Sequence, residues 1–257
     1  MERKFLLIAG GGKFGLKAIQ YGLDHNYVII VIDSDPNCAA ANISNVISKS
    51  RQEVLSKKNE LPPDKIYFIQ DDILILDSLI KELRPEYVIP VVPIHLLAVL
   101  IKKQLKPFSL SLESAPSCLK DFLSNANPEL ILSNDPKKGV IYLSYAKGDE
   151  ICPENCMGPP GYCPNFDREK PITITKYLQE SFKVSGNFQI HSNHKKALII
   201  ILESQQLTAG LGGLKGSDLL NVFDNLQANL SILKKEFYLA IATTCNCHGV
   251  LNFFKAI

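Results

Sequence analysis

The chain has 257 residues with 28 basic and 26 acidic side chains, and a formal net charge of +2 offers no long-range field to nucleic acid or an anionic membrane. Its longest apolar stretch, Tyr87 to Ile101, contains Pro90, Pro93 and His95 and falls short of the ~20 residues of a membrane span, so no span is expected. Seven cysteines in a chain that opens on a short apolar run cut by three glycines, rather than on a signal peptide, point to a cytoplasmic protein whose thiols are metal ligands or reduced.

In chain order, Phe5 to Ala9 is a continuous apolar run, as in a strand covered on both faces. Leu16, Ile19 and Leu23 then recur with helical spacing, and Val28 to Ile32 is wholly β-branched. A second round follows, with strand at 66 to 69, helix at 73 to 83 ended by Arg84-Pro85, strand at 87 to 92 and helix at 94 to 105. Residues 49 to 65, rich in Lys, Glu, Asn and Pro, read as a surface excursion with a short helix. Beyond Pro107 the rhythm changes: strands are expected at 129 to 133, 139 to 145, 197 to 202 and 237 to 243, with helices at 172 to 182 and 217 to 233. The expected architecture is α/β, with a parallel nucleotide-binding sheet over residues 1–107 and an α+β domain carrying a cysteine metal site over 108–257.

The turn after the first strand reads Gly10-Gly11-Gly12-Lys13-Phe14-Gly15, which meets G-x-G-x-x-G at Gly10, Gly12 and Gly15 with Gly11 as an extra. Such a loop needs one glycine for the turn, one for backbone approach to pyrophosphate and one for close helix–strand packing, with phosphates on the helix N-terminus. Asp33 ends the second strand, where an acidic residue takes ribose hydroxyls, and no arginine stands beside it to accept a 2′-phosphate. This is a Rossmann pattern, and it favours NAD over NADP. Asp71 of the Asp71-Asp72 pair is placed near the adenine, while an N-cap at Asp72 is equally good chemistry. A nucleotide-free turn is the alternative for the whole loop.

The run LLIAGGGKFGLKAIQYGLDHNYVIIVIDSDP, together with Asp71-Asp72, resembles the NAD-binding domain of cytosolic potassium-transport regulators. The resemblance covers residues 4 to 100 and implies a Rossmann fold holding NAD(H) as a regulatory ligand; nothing beyond 107 matches those proteins. The glycine loop also resembles the opening domain of ATP-grasp enzymes, whose large lysine-bearing domain has no counterpart downstream.

Cys152, Cys156 and Cys163 follow C-x3-C-x6-C among Pro153, Gly158, Pro159, Pro160, Gly161 and Pro164, and Cys245-Asn246-Cys247-His248 lies far along the chain. Thiolates select soft metals, and prolines stiffen a loop that turns its sulfurs inward. An iron–sulfur cluster is the first reading, with three ligands from the loop and Cys245 or Cys247 as the fourth. Zinc held by three thiolates and His248 is the second, although its usual C-x2-C spacing is missing, and a metal-free site is the third. The Cys-Pro pairs locally resemble those of ferredoxin-like cluster proteins. Cys38 and Cys118 stand alone and are expected to be small buried residues.

NADH gives two electrons together and a cluster takes one at a time, and no flavin signature is present to divide them. A regulatory or redox-sensing protein is therefore the expected function. The alternatives are an NAD-dependent oxidoreductase using the metal centre, and an interaction module with structural zinc. The expected partner is the dinucleotide, with a redox or regulatory protein and self-association left open. His95 is read as structural rather than as an acid–base group, His191 and His194 as members of a solvated polar turn, and Gly210-Leu211-Gly212-Gly213 as a flexible lid or turn.

Overall fold

In the computed structural model, residues 3–43, 45–191, 196–230 and 236–257 are described, so His194 and the end of the helix expected at 217 to 233 lie outside them. The chain forms two compact units, one built from the chain up to Leu96 and from Leu211–Asn221, the other from Leu97–Gly210 and Val222–Ile257. None of the described helices is long and apolar enough to cross a membrane.

The first unit contains β1 (Phe5–Ala9), α1 (Lys13–Asp24), β2 (Val28–Asp33), β3 (Val46–Ser48), α2 (Arg51–Ser56), β4 (Ile66–Gln70), α3 (Leu76–Leu83) and β5 (Tyr87–Pro90). The five strands are parallel in the order β5-β1-β2-β4-β3, with Leu6 beside both Ile29 and Tyr87. Strand β1 is buried at every residue and β2 at all but Asp33, which is why both read as unbroken apolar runs. The excursion holds the expected short helix, α2, started by a capping box between Ser50 and Glu53, and the edge strand β3, which is too short to register as a periodic pattern.

Helix α1 corrects the expected stripe. Its buried residues are Gly15, Ala18, Ile19 and Gly22, while Leu16 is exposed. Small residues face the sheet because the helix lies so close that a Cβ on Gly22 would stand 2.7 Å from the Ile29 side chain. The segment Gly210-Leu211-Gly212-Gly213 is not a lid: only Gly210 sits in a turn, at φ +65, and β14 (Leu211–Lys215) buries Leu211 and Leu214 and pairs antiparallel with β5.

The second unit begins at Leu97 rather than at 108. Helix α4 (Leu96–Leu105), expected to complete the first domain, carries Lys102 over the ring of Phe254 at 4.5 Å. The elements that follow are β6 (Leu112–Ser114), α5 (Pro116–Leu123), β7 (Ile131–Asp135), β8 (Val140–Ser144), β9 (Gly161–Cys163), β10 (Arg168–Lys170), α6 (Ile174–Phe182), β11 (Phe188–His191), β12 (Ala197–Glu203) and β13 (Gln205–Thr208). Helix α7 (Gly216–Ala228), β15 (Phe237–Thr244) and β16 (His248–Ala256) complete the chain. A mixed sheet runs β11-β12-β15-β16-β8-β7, with β6 also on β16 and only β12 and β15 parallel. Alternation along β16 places Phe253 in the core formed with Leu119 of α5 and Leu178 of α6, and turns Phe254 towards Lys102. His191 ends β11 and is half-buried, which corrects its reading as part of a solvated turn.

Candidate functional site

The glycine loop lies at the carboxyl end of β1, between β2 on one side and β5 on the other, so strand order reverses across it. That switch point is where open α/β sheets take ligands. Each glycine has a separate steric reason. Gly10 sits at φ +109, and a Cβ there would also stand 2.8 Å from the Val91 carbonyl oxygen. A Cβ on Gly15 would come within 2.5 Å of the Gly10 oxygen, so this glycine lets α1 start hard against the turn. Gly12, the N-cap of α1, is the opposite case: a Cβ there would meet nothing within 4 Å. Open space before the positive end of a helix is room for a phosphate.

Gly11, read only as an extra, is part of the device. Its N–H donates to Asp33 Oδ2 at 2.6 Å, and its missing Cβ leaves room for Cys38 Sγ, which would otherwise be 2.3 Å away. Asp33 Oδ1 accepts from the N–H of Asp35 at 2.9 Å. The carboxylate therefore clamps the loop, and each oxygen keeps a second lone pair for a hydroxyl. Asp71 follows β4 and its N–H donates to the Asp33 carbonyl at 3.1 Å, while its side chain accepts from the Asp72 N–H and Asp72 caps the next turn through the N–H of Leu74. Gly10, Gly12, Gly15, Asp33 and Asp71 thus share one end of the sheet. Cys38 is buried, as its isolation suggested, whereas Cys118 is half-buried. His95 follows β5 and is half-buried.

In the second unit the distant cysteine segments meet. Strands β15 and β16 form an antiparallel hairpin, and its turn is Cys245-Asn246-Cys247-His248, closed by the Cys245 N–H on the His248 carbonyl at 2.8 Å. Cys152 Sγ lies 3.4 Å from His248 Nε2, and the Asn246 side-chain amide donates to the Gly158 carbonyl at 2.9 Å. Thr175 of α6 and Thr244 of β15, both buried, join through their hydroxyls at 2.9 Å and hold the end of the hairpin against the helix. Cys163 is presented by the β9–β10 hairpin, opposite Arg168, whose guanidinium grips Glu150 with two bonds of 2.8 Å. Strand β13 borders the loop, where the Gln206 amide reaches the Cys156 carbonyl at 3.4 Å.

Several sulfurs are already surrounded by donors. Cys245 Sγ accepts from the N–H of Cys247 at 3.5 Å and of His248 at 3.4 Å, and Cys156 Sγ from the N–H of Gly158 at 3.3 Å and the Asn165 amide at 3.2 Å. Burial pushes the Cys245 thiol up, and the N–H groups of Cys247 and His248 offset that only in part. Cys152 is pushed up first by burial and then by the nearby sulfurs of Cys156, Cys163, Cys247 and Cys245. His248 is exposed on the turn, yet the protein atoms crowding its ring, and then the Lys170 charge, hold it below the ordinary imidazole value.

Lys170 was missed by sequence reasoning. It is 2% exposed, and its ammonium donates to the Pro159 carbonyl and, at 3.0 Å, to Cys247 Sγ. Its sequence signal is faint, a lysine two residues after an arginine in a short hairpin; only the fold places it among sulfurs. Among the described residues, no group of three or more Cys, His, Asp or Glu side chains is already arranged to hold a metal ion. The donors converge without being closed round a point, although Cys152 Sγ and His248 Nε2 stand 3.4 Å apart, close to the separation of two ligands on one zinc ion.

Two family models match the chain in tandem. One, described as an uncharacterised protein's N-terminal domain, covers residues 6–96, and one described as an uncharacterised protein's C-terminal domain covers 99–257. The chain belongs to this family. The seam between the two models falls where the chain first leaves the first compact unit, while Leu211–Asn221 of that unit belongs to the C-terminal model. A relative in Archaeoglobus fulgidus, described as an uncharacterised protein, is 26% identical over 251 residues, which span 97% of this chain and 98% of the relative. Both domains of the family are therefore present together in that relative.

Proposed function

We propose that the second unit holds a thiolate-ligated metal centre, that the first binds NAD(H), and that the protein acts as a regulator or redox sensor in the cytoplasm. The observation that carries the reading is the contact between Cys152 and the Cys245–His248 turn, brought together across 96 residues of sequence. Neutral His248, thiols wrapped in N–H donors and a buried ammonium beside Cys247 are the environment an anionic metal–thiolate group needs. An iron–sulfur cluster is the first form of the centre, using Cys152, Cys156, Cys163 and one sulfur of the turn. Zinc is the second, with His248 Nε2, which stands 3.4 Å from Cys152 Sγ, as the one imidazole ligand beside three thiolates. A bound metal would supply redox poise in the first form and rigidity in the second.

The nucleotide half rests on open space at Gly12 before α1 and on the Asp33 clamp. Calorimetry with NAD tests it: Asp33→Ala is expected to weaken binding about 10- to 100-fold, because loop geometry and the hydroxyl acceptor go together. Equal affinity in parent and variant would remove Asp33 from the site.

Lys170→Met separates a metal-related role for the lysine from a packing one. The substitution leaves the Pro159 carbonyl without its buried donor, so the melting midpoint of the metal-free protein should fall by a few degrees. Metal affinity, read by competition with a chelator, should fall about 10- to 100-fold, as is common when a group supporting a ligand is lost. Unchanged affinity would make Lys170 a packing residue.

A further inference from the structure

We propose that the second unit contains another ligand site, a cavity for a ring-bearing carboxylate, independent of the cysteine region. The cavity is about 570 Å3, within the range of ~300–1,000 Å3 usual for small-molecule sites. Its floor includes Ile199 and Ala240 on the adjacent strands β12 and β15. Phe122, Phe182 and Phe253 line it as a group, with ring centroids 5.4 Å apart for the first two and 5.6 Å for Phe122 and Phe253. Such rings offer an aromatic ligand offset or edge contacts and are poorly served by water.

Among the polar residues of the lining, which include Asn125, Ser181 and Tyr238, His191 stands out. Its Nε2 is buried and has no hydrogen-bond partner among the described residues, although the residue lines the cavity. A buried polar atom left in this way needs an explanation, and an acceptor on a bound molecule supplies one. Lys183 is exposed and lines the same cavity, offering a cation to an anionic head, and the exposed Asp121 on the lining opposes an anion that approaches it. The cavity uses the early residues of β15, Tyr238 to Ala240, whereas Cys245 follows the strand's end, five residues or roughly 16 Å further on.

Calorimetric titration of the full chain with 2-naphthoate tests the proposal. Saturable binding at one site per chain is expected, weakened at least about tenfold by His191→Leu, which removes the nitrogen but keeps the bulk. Ala126→Trp, at a half-buried cavity-lining position, should block binding while the circular dichroism spectrum stays that of the parent. Lys170→Met should bind naphthoate as the parent does, which keeps this result separate from the metal centre. Non-saturable binding, or equal affinity in the parent, His191→Leu and Ala126→Trp, would overturn the proposal.

Discussion

Cys245→Ser is expected to leave less than about a tenth of the parent's metal content, measured as iron, zinc and acid-labile sulfide after anaerobic purification. Two features make this sulfur the most consequential of the set. It is held by the turn that ends the β15–β16 hairpin, and it is the one that accepts two backbone N–H groups from its own turn. A serine hydroxyl fits the space but is a hard, weakly acidic donor that soft metals pass over. Cys118→Ser is the matched control, because Cys118 lines the separate cavity and should keep full metal content. Undiminished metal in the Cys245 variant would take Cys245 out of the centre and leave Cys247 and His248 as the turn's ligands.

Gly12→Val should lower NAD affinity about 10- to 100-fold while leaving the melting midpoint unchanged. This pairing of effects separates a ligand site from a structural turn. Since a Cβ at Gly12 meets no protein atom within 4 Å, a side chain costs the fold almost nothing, and only an approaching phosphate would collide with it. Gly15→Val is the contrast: its Cβ would stand 2.5 Å from the Gly10 carbonyl oxygen, so it should damage the loop and stability together. A Gly12 variant that binds NAD normally would contradict the nucleotide reading.

The first unit was legible because its chemistry is local. Unbroken apolar runs come from strands buried on both faces, and the loop glycines, Asp33 and Asp71 all sit at strand ends that sequence periodicity can find. What escaped were effects of close approach. Small residues of α1 face the sheet instead of its leucines, and Gly11 is needed because Cys38 lies against it. In the second unit, the strands with long apolar runs were found, whereas β16 was not recognised. Its alternation is obscured because Leu251, Phe253 and Phe254 are all apolar, the last facing Lys102 rather than water. That omission hid why Cys245-Asn246-Cys247-His248 is a tight turn. Lys170 and the Phe122, Phe182 and Phe253 wall were equally hidden, since their neighbours come from segments far apart in the chain.

The central claim concerns what the converging sulfurs hold, and metal, sulfide and free-thiol analysis of the anaerobically purified chain tests it most directly. The first reading predicts a brown protein absorbing at about 400 nm, with about four iron and four sulfide per chain and the cluster thiols protected from a thiol reagent until a chelator is added. The zinc form predicts a colourless protein with about one zinc per chain and the same protection. A protein free of both metals, in which Cys152, Cys156, Cys163, Cys245 and Cys247 react as readily before chelation as after, would contradict the account.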